Sequence, residues 1–308
     1  MADPPAADDP PIRYIARTHA WYGALGYAPY RYAAHDQVPF APLGRRLAEA
    51  RVALLTTAAP YRPELGDQGP GAPYNAAAKF FAVYSGDSGA DPDLRVSHVA
   101  VDQAHLSDDQ NCWFPLPALR RAAERGRIGG LTARFHGVPT NRSQRHTCEV
   151  DAPEVLRRCR EDGADAAILV ANCPVCHQTM SLVARSLEAA GVATVVMGAA
   201  RDIVELCGVP RFVFSDVPLG NAAGRPHDLA SQDQALELAL GLLASAVGPR
   251  TTLENPLRWP GPPGWRAGYM NLAALSPEEI AGRRAENERD RAVAQAVRDE
   301  TLREALRG

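Results

Sequence analysis

Lysine is almost missing from this chain: Lys79 is its single representative among 308 residues. Arginine carries the positive charge and alanine is abundant, a pattern of GC-rich coding that says nothing about function. With Lys+Arg at 33 against Asp+Glu at 36, the formal net charge is −3, so no overall basic field exists to hold nucleic acid or an anionic membrane. No apolar run approaches the roughly 20 residues needed to span a bilayer. The opening MADPPAADDPP is acidic and proline-rich, unlike a signal peptide. Six cysteines are too sparse for a disulfide scaffold and fit a reducing cytoplasm. Neither a G-x-G-x-x-G nor a P-loop is present, so no nucleotide site is expected, and Gly129-Gly130 and Gly220 read as backbone turns.

What is present is an alternation of apolar runs and amphipathic stretches. RVALLTT (51–57), LRVSHVAVD (94–102), IGGLTARFHGV (128–138), AAILV (166–170), VATVVMG (192–198) and RFVF (211–214) read as strands. Between them, PLPALRRAAERG, APEVLRRCREDG, TMSLVARSLEAAG and residues 200–207 read as helices, three of them closed by glycine. Strands alternating with helices predict an α/β fold with a doubly wound, mostly parallel sheet and flanking helices. Residues 1–44 form an irregular, tyrosine-dense N-terminal extension, disordered to about 12, that wraps the main domain or a partner. Residues 45–248 form the α/β domain, entered by a short helix at 45–50 and interrupted by a Gly/Pro-rich loop after residue 58. Residues 249–308 form an irregular segment followed by a charged helical extension at 276–307, suited to a surface or to another subunit. A homo-oligomer is the expectation.

The sharpest motif is the turn between the AAILV strand and its following helix, where Cys173, Pro174, Val175, Cys176 and His177 stand in a row. Peptide N–H groups at a helix N-terminus stabilise an anion, and a thiolate is an anion. A C-x-x-C there lets one sulfur attack and the other resolve the product as a disulfide. Two cysteines three apart are also half of a zinc site, with His177 as a third donor, but no second close pair completes it; Cys112, Cys148, Cys159 and Cys207 are scattered singly. Buried apolar filling is the third use of such residues.

VALLTTA (52–58), DLRVSH (93–98), DDQNCWFPLPALRRAAERGRIGGL (108–131), the run from Ala152 through the thiol turn to Val195, and the PLG of 218–220 recur in family order. Together they resemble the glycine/sarcosine/betaine/D-proline reductase selenoprotein B family, in its D-proline reductase branch, over about residues 50–228. The resemblance implies reductive cleavage of a carbon–heteroatom bond, with Cys173 at the position where the family typically carries selenocysteine. It implies a substrate activated by a pyruvoyl group on a companion subunit, since no pyruvoyl precursor is visible here. The loop at 59–90 is longer than the family's segment and reads differently, and extra segments flank the matched core.

Cys173, first in the turn, is assigned as nucleophile and Cys176 as resolving thiol, with the reverse order open. His98, at the end of a predicted strand, and His177 are candidate general acids. Thr56, Thr57, His136, Asn111 and Cys112 are candidate substrate-binding residues, because sites in parallel sheets form where strands end. Arg62 and Arg134 are candidates for a substrate carboxylate. No cofactor is assigned to this chain and no metal, zinc at Cys173, Cys176 and His177 being the alternative. The partners expected are a small amino-acid-like substrate and an external thiol or thioredoxin-like reductant. A cysteine-based amino-acid racemase or lyase is the competing enzymatic reading, although such enzymes draw their thiols from two separate halves.

Overall fold

A computed structural model describes residues 10–28, 30–69, 71–96, 98, 101, 106, 108–260 and 264–305. The chain begins with a helix, α1 (Tyr14–Ala24), where sequence periodicity was weak, and a 3-10 turn at Leu47–Glu49 leads into β1 (Arg51–Thr56). Short strands β2 (Ala59–Pro60), β3 (Tyr84–Asp87) and β4 (Leu94–Arg95) follow, then α2 (Leu116–Glu124), β5 (Gly130–Leu131) and β6 (Arg134–Gly137). After α3 (Gln144–His146) and α4 (Ala152–Glu161) come β7 (Ala166–Val170), α5 (Pro174–Ala189), β8 (Ala193–Gly198), α6 (Arg201–Cys207) and β9 (Arg211–Phe214). The chain ends through α7 (Leu229–Ser245), β10 (Thr251–Glu254), α8 (Trp265–Gly268) and α9 (Pro277–Ala305).

The main sheet runs β10-β9-β8-β7-β1-β6-β3, with β5 also paired to β1. Every pairing is parallel except β3 with β6, so the doubly wound, mostly parallel reading holds. α2 and α7 pack together on one face, and α4, α5, α6 and α1 pack on the other. The central strands carry apolar side chains at every position because both faces are covered; all five residues of β7 and all six of β8 are buried. Leu54, Leu55, Ile168 and Leu169 are essentially inaccessible, each contributing about 1.5–3 kcal/mol by leaving water.

The strand order departs from the sequence reading in four places. The strand expected over 94–102 shrinks to Leu94–Arg95, which pairs antiparallel with Ala59–Pro60 outside the main sheet; residues 97, 99, 100 and 102 lie outside the described residues. The strand expected over 128–138 is split into β5 and β6, since Thr132 turns its hydroxyl onto the Arg134 carbonyl at 2.7 Å. β3 lies inside the loop read as irregular, its mixed YSGD composition giving no periodic signal. The segment read as irregular after 248 carries β10, which extends the sheet beyond β9.

Both terminal extensions fold back onto the domain. Ala33 N–H donates to the Gln178 side chain on α5 at 2.7 Å, and the buried Arg211 guanidinium donates to the Ala41 carbonyl at 2.8 Å. The long polar α9 packs on the 76–78 turn, and its Asn287 accepts from the Tyr27 hydroxyl at 2.8 Å. Of the residues to about 12 that were expected to be disordered, the first nine lie outside the described residues, while Ile12 is buried in the core.

Candidate active site

Parallel strands taken in chain order, β1, β6, β7, β8, lie in space as β6-β1-β7-β8. The order therefore reverses between β1 and β7, and a crevice opens at the carboxyl ends of those two strands. β1 delivers Thr56 and Thr57 to that edge, and β7 delivers Asn172 and Cys173. Thr56 uses its hydroxyl locally, accepting from Ala58 N–H at 3.1 Å. The Thr57 hydroxyl and the Asn172 amide are buried without a hydrogen-bond partner among the described residues.

Cys173 is the N-cap of α5, with Pro174 opening the first turn, where its missing N–H costs nothing. Its sulfur accepts the Cys176 N–H at 3.2 Å, in the position from which helix N–H groups stabilise a thiolate. Cys173 and Cys176 are joined by a disulfide, with Cα atoms 4.9 Å apart. The two differ in surroundings. Cys173 is itself buried, 3% exposed, and lines a small cavity of about 20 Å³ together with Tyr22, Tyr74, Lys79, His98, Thr140 and Arg142. Cys176 lies beneath it, fully buried, its sulfur 3.3 Å from the Thr140 hydroxyl and 3.8 Å from His98 Nε2. The cavity shares Tyr74 and His98 with a larger one of about 690 Å³ bounded by α1, the 71–74 loop and α9.

His98 donates from Nε2 to the Thr57 carbonyl at 3.0 Å, which leaves Nδ1 as an acceptor 4.0 Å from the Cys176 sulfur. Burial and the neighbouring Lys79 charge bring its pKa down to about 4, the Thr57 bond opposing them. The ring is thus neutral at pH 7. Among the described residues, His98, Cys173 and Cys176 form the grouping whose donor atoms lie within 4.8 Å of one another, as a metal would require.

His177 does not share this setting, and the zinc set written with it is corrected. Its ring lies on the core side of α5: Nδ1 donates to the Cys173 carbonyl at 2.7 Å, and Nε2 accepts from Ala199 and Ala200 N–H at 2.9 and 3.1 Å. Both nitrogens are occupied, and burial lowers the pKa to about 4. A Cβ at Gly198 would come within 2.5 Å of the ring, so β8 carries glycine where the imidazole passes. The ring thereby ties the thiol turn to the end of β8.

The remaining expectations scatter. His136 is fully buried beside Ser85 and Asp162, its Nδ1 2.9 Å from the Ser85 hydroxyl, in a network with Arg158 and away from the sulfurs. Arg134 pairs with Asp162 and Glu161, and Arg62 with Glu64, so neither points a free guanidinium at the crevice. Cys112 is buried in the turn before α2, its carbonyl accepting from Ala223 N–H at 2.8 Å, and Asn111 sits on the same turn. Neither lines the cavity that reaches Cys173. Sequence reasoning missed Lys79, Arg142, Tyr22 and Tyr74. The available signal was compositional: in a chain that avoids lysine, the one retained lysine stands at the cavity.

No protein-family model matches the chain and no solved structure matches it. A curated relative does: the D-proline reductase subunit gamma of Acetoanaerobium sticklandii is 32% identical over 189 residues, which cover 61% of this chain and 75% of that protein. At that identity and coverage, together with the thiol turn at the switch point of the sheet, the chain belongs to the family of the D-proline reductase gamma subunit.

Proposed function

We propose that this protein is a thiol-dependent reductase that cleaves a carbon–heteroatom bond in a small amino-acid-like substrate. The observation that carries the reading is the asymmetry of the sulfur pair: one sulfur caps a helix and lines a cavity, while its partner is buried within reach of it and of a neutral histidine. In the reduced protein the Cys173 thiolate attacks the carbon bearing the heteroatom; a C–S bond forms, and the heteroatom leaves with the bonding pair and takes a proton. His98, too weak a base to hold the Cys176 proton, relays it to the departing carbon. The Cys176 thiolate then attacks the Cys173 sulfur, the C–S bond breaks, and the carbon leaves with that pair and is protonated. Substrate gains two electrons and the thiol pair loses them as a disulfide. An external dithiol restores the reduced state, which fits a reducing compartment such as the cytoplasm. Among the described residues no helix is long and apolar enough to cross a membrane.

The relative's name makes D-proline the first substrate to test and a multi-subunit assembly the first arrangement to look for. A pyruvoyl carbonyl, where one takes part, belongs on a companion subunit. The deciding experiment is single-turnover reaction of reduced protein with candidate substrates, followed by mass mapping. One Cys173–Cys176 disulfide should form per product released, and Cys176→Ser should trap a substrate adduct on Cys173. An adduct on Cys176 in Cys173→Ser instead would reverse the roles. Product formed with both thiols still reduced would remove the reading.

The spacing of His98, Cys173 and Cys176 supports a second reading, in which the reduced pair holds zinc with one position open. Elemental analysis of anaerobically purified protein decides it: stoichiometric zinc would favour this reading over the redox one.

A further inference from the structure

We propose that Lys79 and Arg142 form a subsite for a small carboxylate beside the Cys173 sulfur. The inference deepens the reductase reading by naming what holds the substrate, and it rests on four observations. First, both side chains line the same cavity as Cys173. Second, they are cations without a counter-charge: neither forms an ion pair with any carboxylate among the described residues, whereas Arg62, Arg134, Arg157 and Arg158 elsewhere in the chain each pair with one. Both also line the adjoining cavity, where the one acid among the lining residues, Asp290 of α9, is outnumbered by Lys79, Arg142, Arg291 and Arg298.

Third, the two cations repel. Burial, Arg142 and Arg298 together lower the Lys79 pKa to about 8, so an anion bound between the two relieves a like-charge contact that the fold otherwise maintains. Fourth, the backbone holds Arg142 in place against preference. Its φ is 54°, in the left-handed region that disfavours a side chain, and its guanidinium lies 4.6 Å from the Tyr22 ring and 4.3 Å from the Tyr27 ring. Strain retained at a cavity wall marks a position kept for its contacts. Lys79 is steadied in the same manner, 4.9 Å over the Phe81 ring. Two cations on aromatic supports border both the space of about 20 Å³ at the nucleophilic sulfur and the adjoining one of about 170 Å³, which suits a small carboxylate one or two bonds from the reacting carbon.

The test needs no knowledge of the true substrate. Reduced protein is alkylated with iodoacetate or with iodoacetamide, and labelling is followed at Cys173 and at Cys148, an exposed cysteine that serves as the internal reference. The iodoacetate-to-iodoacetamide rate ratio at Cys173 should exceed that at Cys148 by about tenfold or more. Lys79→Met and Arg142→Gln should each lower the ratio severalfold, and the double variant should bring it to the Cys148 value. The iodoacetamide rate at Cys173 in each variant reports that the site is still folded. A wild-type ratio at Cys173 no higher than at Cys148 overturns the proposal, whatever the variants do. A preference for iodoacetate in a protein that turns over no amino acid would leave the subsite standing and remove the reductase reading instead.

Discussion

At the amino-terminal edge of the sheet, where β8 and β9 begin, Glu188 and Arg211 are buried completely and answer each other at 2.8 Å. Thr194 donates its hydroxyl to the same carboxylate at 2.8 Å, Ala41 N–H donates at 2.5 Å, and the Ala41 carbonyl takes a further guanidinium N–H. At the carboxyl-terminal edge, by contrast, the Thr57 hydroxyl and Asn172 amide are buried without partners among the described residues, and Lys79 and Arg142 line one cavity with no ion pair to an acid among those residues. Both places bury polar chemistry in one sheet. The first, apart from the Arg211 Nε, is closed on itself and fastens the N-terminal extension to the domain; the second is left open toward a cavity. Polar groups that satisfy one another hold a fold together, and those kept apart from partners are available to a ligand.

The largest effect should separate the two edges by chemistry. Cys173→Ser should lower kcat/KM for the true substrate by about 10⁴-fold or more, as loss of a nucleophile does, while the urea midpoint of the reduced protein stays near that of the parent. A fall in stability comparable with the fall in activity would place Cys173 with the structural edge instead.

The next effect belongs to the closed cluster. Arg211→Met alone leaves the Glu188 charge buried and unpaired, and should cost about 3–5 kcal/mol in denaturant unfolding. Glu188→Leu together with Arg211→Met removes both charges and should recover most of that loss. Turnover per folded molecule should stay at the parental value in both variants. If the double variant is as unstable as the single one, the remaining hydrogen bonds, and not the buried charge, carry the cluster.

Acid should then reveal how the carboxyl-terminal edge is fastened. His98, His136 and His177 all have folded pKa values lowered to about 4, by burial first in each case. Between about pH 6.5 and pH 4 the unfolded chain binds protons that the folded chain refuses, so stability rises with pH across that window and falls on acidification. The fully buried His136 and His177 should each contribute a slope approaching about 1.4 kcal/mol per pH unit. Asp151, pushed up to about 6 by burial, opposes them over the lower part of the window. Urea titrations at stepped pH should show the decline, and His177→Asn should make it shallower.

How much of this was legible in the residues depends on whether the signal was local. The thiol turn was readable because a β-branched run, a proline and a helical period converge within about a dozen positions, and the parallel sheet followed from the same alternation. The fate of His98 and His177 was not, since adjacency in sequence is a poor guide to adjacency around a helix. His177 follows Cys176 directly yet projects into the core toward Ala199, while His98, far away in the chain, reaches the sulfur through a loop that the sequence presented as a strand. Lys79 and Arg142 sit on aperiodic loops, where no period announces direction. Reading lysine scarcity as coding bias concealed the one position at which lysine was kept.

The smallest effect is the most direct test of the contrast, because the same substitution is made at both edges. Thr194→Val removes a hydroxyl that donates to the buried Glu188 carboxylate and leaves that acceptor short of a bond, which should cost about 1–3 kcal/mol. Thr57→Val removes a buried hydroxyl that has no partner among the described residues, keeps the shape of the side chain, and retains the main-chain carbonyl that holds His98. Stability should therefore stay level or rise by up to about 1 kcal/mol. Substrate affinity should fall if the hydroxyl serves the crevice. Opposite signs from an identical change would show that openness at the carboxyl-terminal edge is maintained at the expense of stability. Equal losses at both positions would mean that the Thr57 hydroxyl is satisfied in solution, and that the two edges are built alike.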